Sequence, residues 1–87
     1  MADQAGRPKV IIFQFKGGAR DGQTVRTDRR ESVLEANTLW KLTLNGMVGR
    51  RFNVTAPNKP PSHRYQVRSK YEDSGEILVT CDHVDEN

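Results

Sequence analysis

Three side chains in this 87-residue chain could ligate a soft metal or act as nucleophile and base: Cys81, His83 and His63. Cys81 and His83 stand two apart in an extended-looking segment, so they share a face. Thiolate and imidazole are good zinc ligands, but a closed structural site needs four donors, and the chain holds one Cys and two His. A Cys81–His63 pair would need spatial adjacency, an activated thiolate and an oxyanion hole. The spacing indicates none of these, and a small buried Cys is the ordinary use of such a residue. The carboxylates fall in turns or in the C-terminal segment, with no pair set in an apolar pocket for general acid–base work. The reading is a non-enzymatic domain with no metal and no cofactor. A small enzyme or enzyme subunit is the third-ranked alternative.

The turn Lys16-Gly17-Gly18-Ala19-Arg20-Asp21-Gly22 invites a phosphate-cradle reading. It lacks the P-loop pattern and a following helix whose N-terminus could hold an anion, so it reads as a hairpin turn. Pro57-Asn58-Lys59-Pro60-Pro61 contains a P-x-x-P spacing of the kind polyproline-binding domains recognise. A loop with three prolines meets that spacing by chance, and the reading is a rigid connector.

The basic residues are the better lead. Residues 1–71 hold all 14 Lys and Arg with five acids, a net of +9, whereas residues 72–87 hold six acids and no Lys or Arg, a net of −6. By the two-residue strand period Arg64, Arg68 and Lys70, with Gln66, point away from the side carrying Tyr65, Val67 and Tyr71. Arg50, Arg51 and Lys59 fall near them. A basic stripe on a sheet is an electrostatic footprint for anions. The expected site is therefore Arg50, Arg51, Arg64, Arg68 and Lys70. With no aromatic expected on that face to stack bases, the partner expected is an acidic protein, and nucleic acid is the alternative.

These residues need a scaffold. Val10-Ile11-Ile12-Phe13-Gln14-Phe15 reads as an interior strand, apolar on both faces near its start. Gln23–Thr27 reads as a second strand with Val25 inward. Ser32-Val33-Leu34-Glu35 matches a capping box, and a helix from about Val33 to Leu44 aligns Val33, Ala36, Trp40 and Leu44, with Leu39 beside them. Asn45-Gly46 would stop it. A rival reading makes residues 38–54 a hairpin about Asn45-Gly46. A third strand centres on Arg51–Val54, and Thr55–His63 is a loop. Arg64–Tyr71 and Glu76–His83 form a final hairpin. Setting Tyr71 against Ile77 and Val67 against Cys81 leaves Asp73-Ser74-Gly75 as a three-residue turn.

The resulting fold is α+β: a small β-grasp-like ββαβββ sheet with one helix packed on it. The alternative is an SH3-like small barrel if residues 38–54 form a hairpin. Residues 1–8 are expected to be disordered, 9–84 to be one globular domain and 85–87 to be a flexible acidic tail. The expected core is Trp40, Phe13, Phe15 and Leu39, closed at one end by Tyr71 and Ile77. One cysteine allows no internal disulfide, the N-terminus has no apolar signal core, and no apolar run is long enough to cross a membrane. The expectation is a cytoplasmic protein without membrane contact.

The run Gly17–Val25 (GGARDGQTV) resembles the start of small uncharacterised bacterial and phage proteins with a strand, a GG-P-x-DG turn and a second strand. Ala19 stands where those often carry Pro. Tyr65-Gln66-Val67 is similar to their recurring Tyr-x-apolar strand. The resemblance implies a small sheet-containing domain and carries no catalytic residues with it.

Overall fold

A computed structural model describes residues 9–55 and 63–84. The expected disorder of 1–8, the P-x-x-P connector with Lys59, and the acidic tail 85–87 lie outside the described residues. The elements are β1 (Val10–Lys16), β2 (Thr24–Arg26), α1 (Val33–Leu42), β3 (Arg51–Val54), β4 (His63–Asp73) and β5 (Glu76–His83), with one 3-10 turn at Gly18–Arg20. The five strands form one sheet in the order β2-β1-β5-β4-β3. β1 runs parallel to β5 and the other neighbours are antiparallel. This is the expected α+β, β-grasp-like ββαβββ layout. Residues 38–54 do not form a hairpin, which removes the SH3-like alternative. No described helix is long and apolar enough to cross a membrane.

β1 is interior because its β-branched and aromatic residues suit burial on both sides. Ile11, Phe13 and Phe15 face the helix side, opposite Ile77, Val79 and Cys81 of β5. Val25, Ala36, Leu39, Phe52, Val54, Tyr65 and Val67 complete the buried cluster. Two expectations about this core need correction. Trp40 is only partly buried and packs on the cluster from its margin, beside Ile11. Tyr71 is 63% exposed, for a reason that lies in the last hairpin.

That hairpin keeps Val67 opposite Cys81 but then shifts register: Ser69 pairs with Thr80, Lys70 with Val79, Tyr71 with Leu78 and Asp73 with Glu76. Arg68 is the extra residue of a β-bulge. One extra residue reverses the alternation beyond it. Lys70 therefore turns to the helix side and Tyr71 to the opposite face. The turn is then two residues, Ser74 (φ 51°) and Gly75 (φ 83°), not three. Positive φ at both central positions is the requirement of a type I′ turn, whose twist matches that of the strands.

The capping box does not form. Ser32 Oγ accepts from the Arg26 backbone N–H at 3.1 Å and donates to the Arg26 carbonyl at 3.0 Å, tying the start of α1 to β2. Glu35 is drawn instead to Arg20. At the other end α1 stops at Leu42, earlier than the Asn45-Gly46 signal. The Thr43 hydroxyl donates to the Leu39 carbonyl at 2.8 Å and accepts from the Gly46 N–H at 3.0 Å. Leu44, Asn45 and Gly46 follow in succession with φ of 52°, 63° and 79°. A Cβ at Gly46 would stand 3.1 Å from the Trp40 ring and 3.3 Å from Val79, so the chain approaches the core there as only glycine allows.

Candidate functional site

The helix lies over β1 and β2 on one side of the sheet. The other side is uncovered by any described element, and its residues follow from the pairing register. They form bands across the strands. Asp73, Glu76 and Val10 make the first band, and Tyr71, Leu78, Ile12 and Arg26 the second. Ser69, Thr80, Gln14 and Thr24 make the third. The fourth holds Arg51, Gln66, Asp82 and Lys16, with Arg68 reaching into it from the bulge, and the fifth holds Asn53 and Arg64. Successive bands are about 6.5–7 Å apart, two residues of strand rise. The face thus passes from acidic through apolar and neutral polar to basic.

Of the five expected site residues, three lie together on this face. Arg51 donates from Nε to Gln66 Oε1 at 3.2 Å. Arg64 is exposed at the far end and makes no ion pair among the described residues. Arg68 forms a two-point pair with Asp82, Nε–Oδ2 at 2.6 Å and Nη2–Oδ1 at 3.0 Å. The other two do not belong. Lys70, displaced by the bulge, places Nζ 5.2 Å from the centre of the Trp40 ring on the helix side. Arg50 turns its Nε to the Leu42 carbonyl at 3.2 Å, satisfying a free acceptor at the end of α1. Arg26, also on the uncovered face, is held by Asp28 through bonds of 2.8 and 2.9 Å. The hydrogen bond from Arg26 keeps the Asp28 carboxyl below its usual range.

Tyr71 is the residue the strand period alone assigns to the wrong face. With Ile12, Leu78, Asp73, Ser74 and Glu76 it lines an open hollow of about 420 Å³. Strict strand alternation puts no aromatic on this side of the sheet. The only sign in the sequence is the turn itself: a two-residue Ser74-Gly75 turn pairs Asp73 with Glu76 and so sends Tyr71 opposite Leu78.

The remaining candidates are structural. Gly17 and Gly18 adopt φ of 79° and 68° in the β1–β2 turn. A Cβ at Gly18 would stand 2.5 Å from the His83 ring and 2.9 Å from the Tyr65 hydroxyl, so these glycines serve close packing in a hairpin turn. Arg20 is 6% exposed. Its guanidinium donates to Glu35, to Gln23 Oε1 at 2.8 Å and to the Thr55 carbonyl at 3.0 Å, and its Cζ sits 4.8 Å from the Phe15 ring centre. A charge this buried persists because it is paired and hydrogen-bonded. Its partners are all within the protein, which makes it a clasp between the first turn, α1 and the end of β3. Cys81 is fully buried, and burial pushes its thiol up to about 12, far from the thiolate a nucleophile needs. His83 stacks edge-on against Tyr65, ring centres 5.5 Å apart. Among the described residues no group of three or more His, Cys, Asp or Glu is placed to hold a metal ion.

No protein-family model matches the chain, and no curated protein or solved structure matches it either.

Proposed function

We propose that this protein is a non-enzymatic interaction module that binds a protein partner through the uncovered sheet face. The observation that carries the reading is the banding of that face: guanidinium groups of Arg51, Arg64 and Arg68 at one end, and Tyr71 with Ile12 and Leu78 towards the other. Tyr and Arg are enriched where protein interfaces concentrate their binding energy. From Ala36 to Tyr71 the sequence contains no Asp or Glu, so β3 and the basic end of β4 favour an acidic patch on the partner. Single-stranded nucleic acid, which would need bases stacked on the aromatic and phosphates along the row, fits less well. Among the described residues the one aromatic on this face, Tyr71, stands beside Asp73 and Glu76, which repel a phosphate backbone.

The test compares three proteins: wild type, an Arg51→Ser/Arg64→Ser variant and Tyr71→Ser. Each is used to capture partners at low and high salt, and each is titrated with random single-stranded oligonucleotides. A protein partner held by wild type and lost from both variants is expected. Captured proteins that all three retain would refute the reading. Oligonucleotide binding with a steep salt dependence, lost with the arginines, would replace it with nucleic-acid recognition.

A further inference from the structure

The sheet has two edge strands, β2 and β3, and their outer edges differ. On β2 the Thr27 N–H donates to the Ile11 carbonyl and the Phe15 N–H to the Gln23 carbonyl, both at 3.0 Å. Hydrogen-bonded pairs alternate along an antiparallel ladder, so Thr24 and Arg26 turn their main-chain groups outward. Ser32 Oγ engages both groups of Arg26, at 3.1 and 3.0 Å. That hydroxyl plugs the edge where α1 begins, the kind of block that keeps a sheet edge from pairing with another chain.

β3 has no such plug among the described residues. The Val67 N–H donates to the Arg50 carbonyl at 2.9 Å, and the Arg64 carbonyl accepts from the Val84 N–H, on the β5 side, at 3.0 Å. Both bonds set the same phase. Phe52 and Tyr65 form a hydrogen-bonded pair, while Arg51 and Asn53, opposite Gln66 and Arg64, send their N–H and C=O groups away from β4. The edge thus offers a donor and an acceptor at each of Arg51 and Asn53. The side chains of these two residues lie on the uncovered face, and Phe52 and Val54 turn to the buried side. A strand laid along β3 would set alternate residues beside Arg51 and Asn53 and the others beside Phe52 and Val54. Arg64 would stand two strand spacings from it, about 10 Å, a gap that an Arg and a Glu side chain close together. The matching segment alternates acidic with apolar β-branched residues. A second copy of β3 matches poorly. It brings arginines against arginines, and no Asp or Glu lies between Ala36 and Tyr71 to offset them.

We infer that β3 receives an extended acidic segment of a partner protein as a sixth strand, its main chain bonded to Arg51 and Asn53 and its carboxylates beside Arg51 and Arg64. The inference rests on the reading of the uncovered face as the binding surface, and adds the form of what is bound there. In strand addition the main-chain bonds supply affinity and the alternate side chains supply specificity. The charge that keeps a second copy off this edge is the charge that selects an acidic strand for it.

The probes are short end-blocked peptides that alternate Glu with Val, and the same peptides with Lys in place of Glu. Titrated into isotope-labelled wild type and followed by amide resonances, the Glu series should bind and the Lys series should not. In the complex the Arg51 and Asn53 amides should exchange with water more slowly by about tenfold or more, with Thr24 unchanged. N-methylation of the peptide should weaken binding about tenfold at alternate positions, where the N–H faces β3, and leave it unchanged at the positions between. Arg51→Ser/Arg64→Ser should weaken binding by about tenfold as well, and added salt should act in the same direction. Glu peptides that do not bind overturn the inference, and the capture experiment with the arginine and Tyr71 variants then decides the sheet-face reading by itself. Equal tolerance of N-methylation at every position also overturns it; if that binding still depends on Arg51 and Arg64, the sheet-face reading stands. Alternating sensitivity that survives the loss of both arginines overturns the acidic specificity, and the sheet-face reading with it.

Discussion

The Tyr65 hydroxyl donates to the Gly17 carbonyl at 2.7 Å, joining β4 to the turn between β1 and β2. The same oxygen accepts from the buried Arg20 backbone N–H at 2.9 Å. One phenol thus satisfies two main-chain groups of a turn that glycine alone cannot hold. Tyr65→Phe keeps the ring and its edge-on contact with Phe15 but strips both bonds. A buried donor left unsatisfied costs about 1–3 kcal/mol. The expected result is a lower urea midpoint with an unchanged m value.

Tyr71 and Phe13 give opposite outcomes despite both being strand aromatics. Tyr71 stands on the uncovered face, so Tyr71→Ala should change stability by no more than about 0.5 kcal/mol. Phe13 is fully buried, and Phe13→Ala should cost about 3–5 kcal/mol. Thermal melts of the two variants side by side check the bulge at Arg68 without further structural work.

How much could be read in advance divides along this bulge. β1, β3 and β5 declare themselves through β-branched and aromatic runs bounded by glycine and proline, and α1 through the stripe Val33, Ala36 and Trp40 with Leu39 beside it, although Leu44, read on the same stripe, lies beyond the helix end. The hairpin followed by a crossing helix suggests the β-grasp-like layer, and the structure adds the parallel pairing of β1 with β5. The bulge has no comparable local signal. Strict alternation over Arg64–Tyr71 places Lys70 with Arg64 and Arg68, and one inserted residue undoes it. The candidate site was therefore legible at Arg51, Arg64 and Arg68, which precede or occupy the bulge, and not at Tyr71 beyond it. Arg50 left the site because a helix carbonyl within its reach was a better partner than solvent. Ser32 and Glu35 match a capping box, but two tertiary partners, Arg26 and Arg20, claim them first.

Leu44 holds a left-handed backbone that costs an ordinary L-residue about 1–2 kcal/mol and that Asn adopts more readily. Its side chain is half exposed, so little core packing is lost on replacement. Leu44→Asn should raise stability by about 1 kcal/mol in dilute solution, measured by chemical denaturation. A fall would show that Leu44 packs where its exposure says it does not.

Cys81 gives the protein an alkaline sensitivity. Its folded thiol titrates at about 12 against an ordinary value of 9.0. Above the ordinary value the unfolded chain releases the proton while the folded one keeps it. Stability from this group is thus complete below about pH 9 and declines as pH rises towards 12. Cys81→Ala should be less stable at pH 7, through lost packing, yet flatter between pH 9 and 11 than wild type in matched denaturation curves. In the folded wild type, iodoacetamide at pH 8 should label Cys81 only as fast as the protein opens.

The parallel pairing of β1 with β5, Ile11 beside Ile77 and Phe13 beside Val79, has a consequence for synthesis. β1 has β2 on one side but waits for β5 to fill the other. Contacts so distant in sequence slow folding, and on the ribosome β1 emerges long before β5. Until then an apolar strand edge stands open, the kind of edge that recruits other chains. A product truncated ahead of β5 should therefore aggregate rather than persist as a smaller domain, and the nascent chain depends on speed or on a chaperone to reach β5.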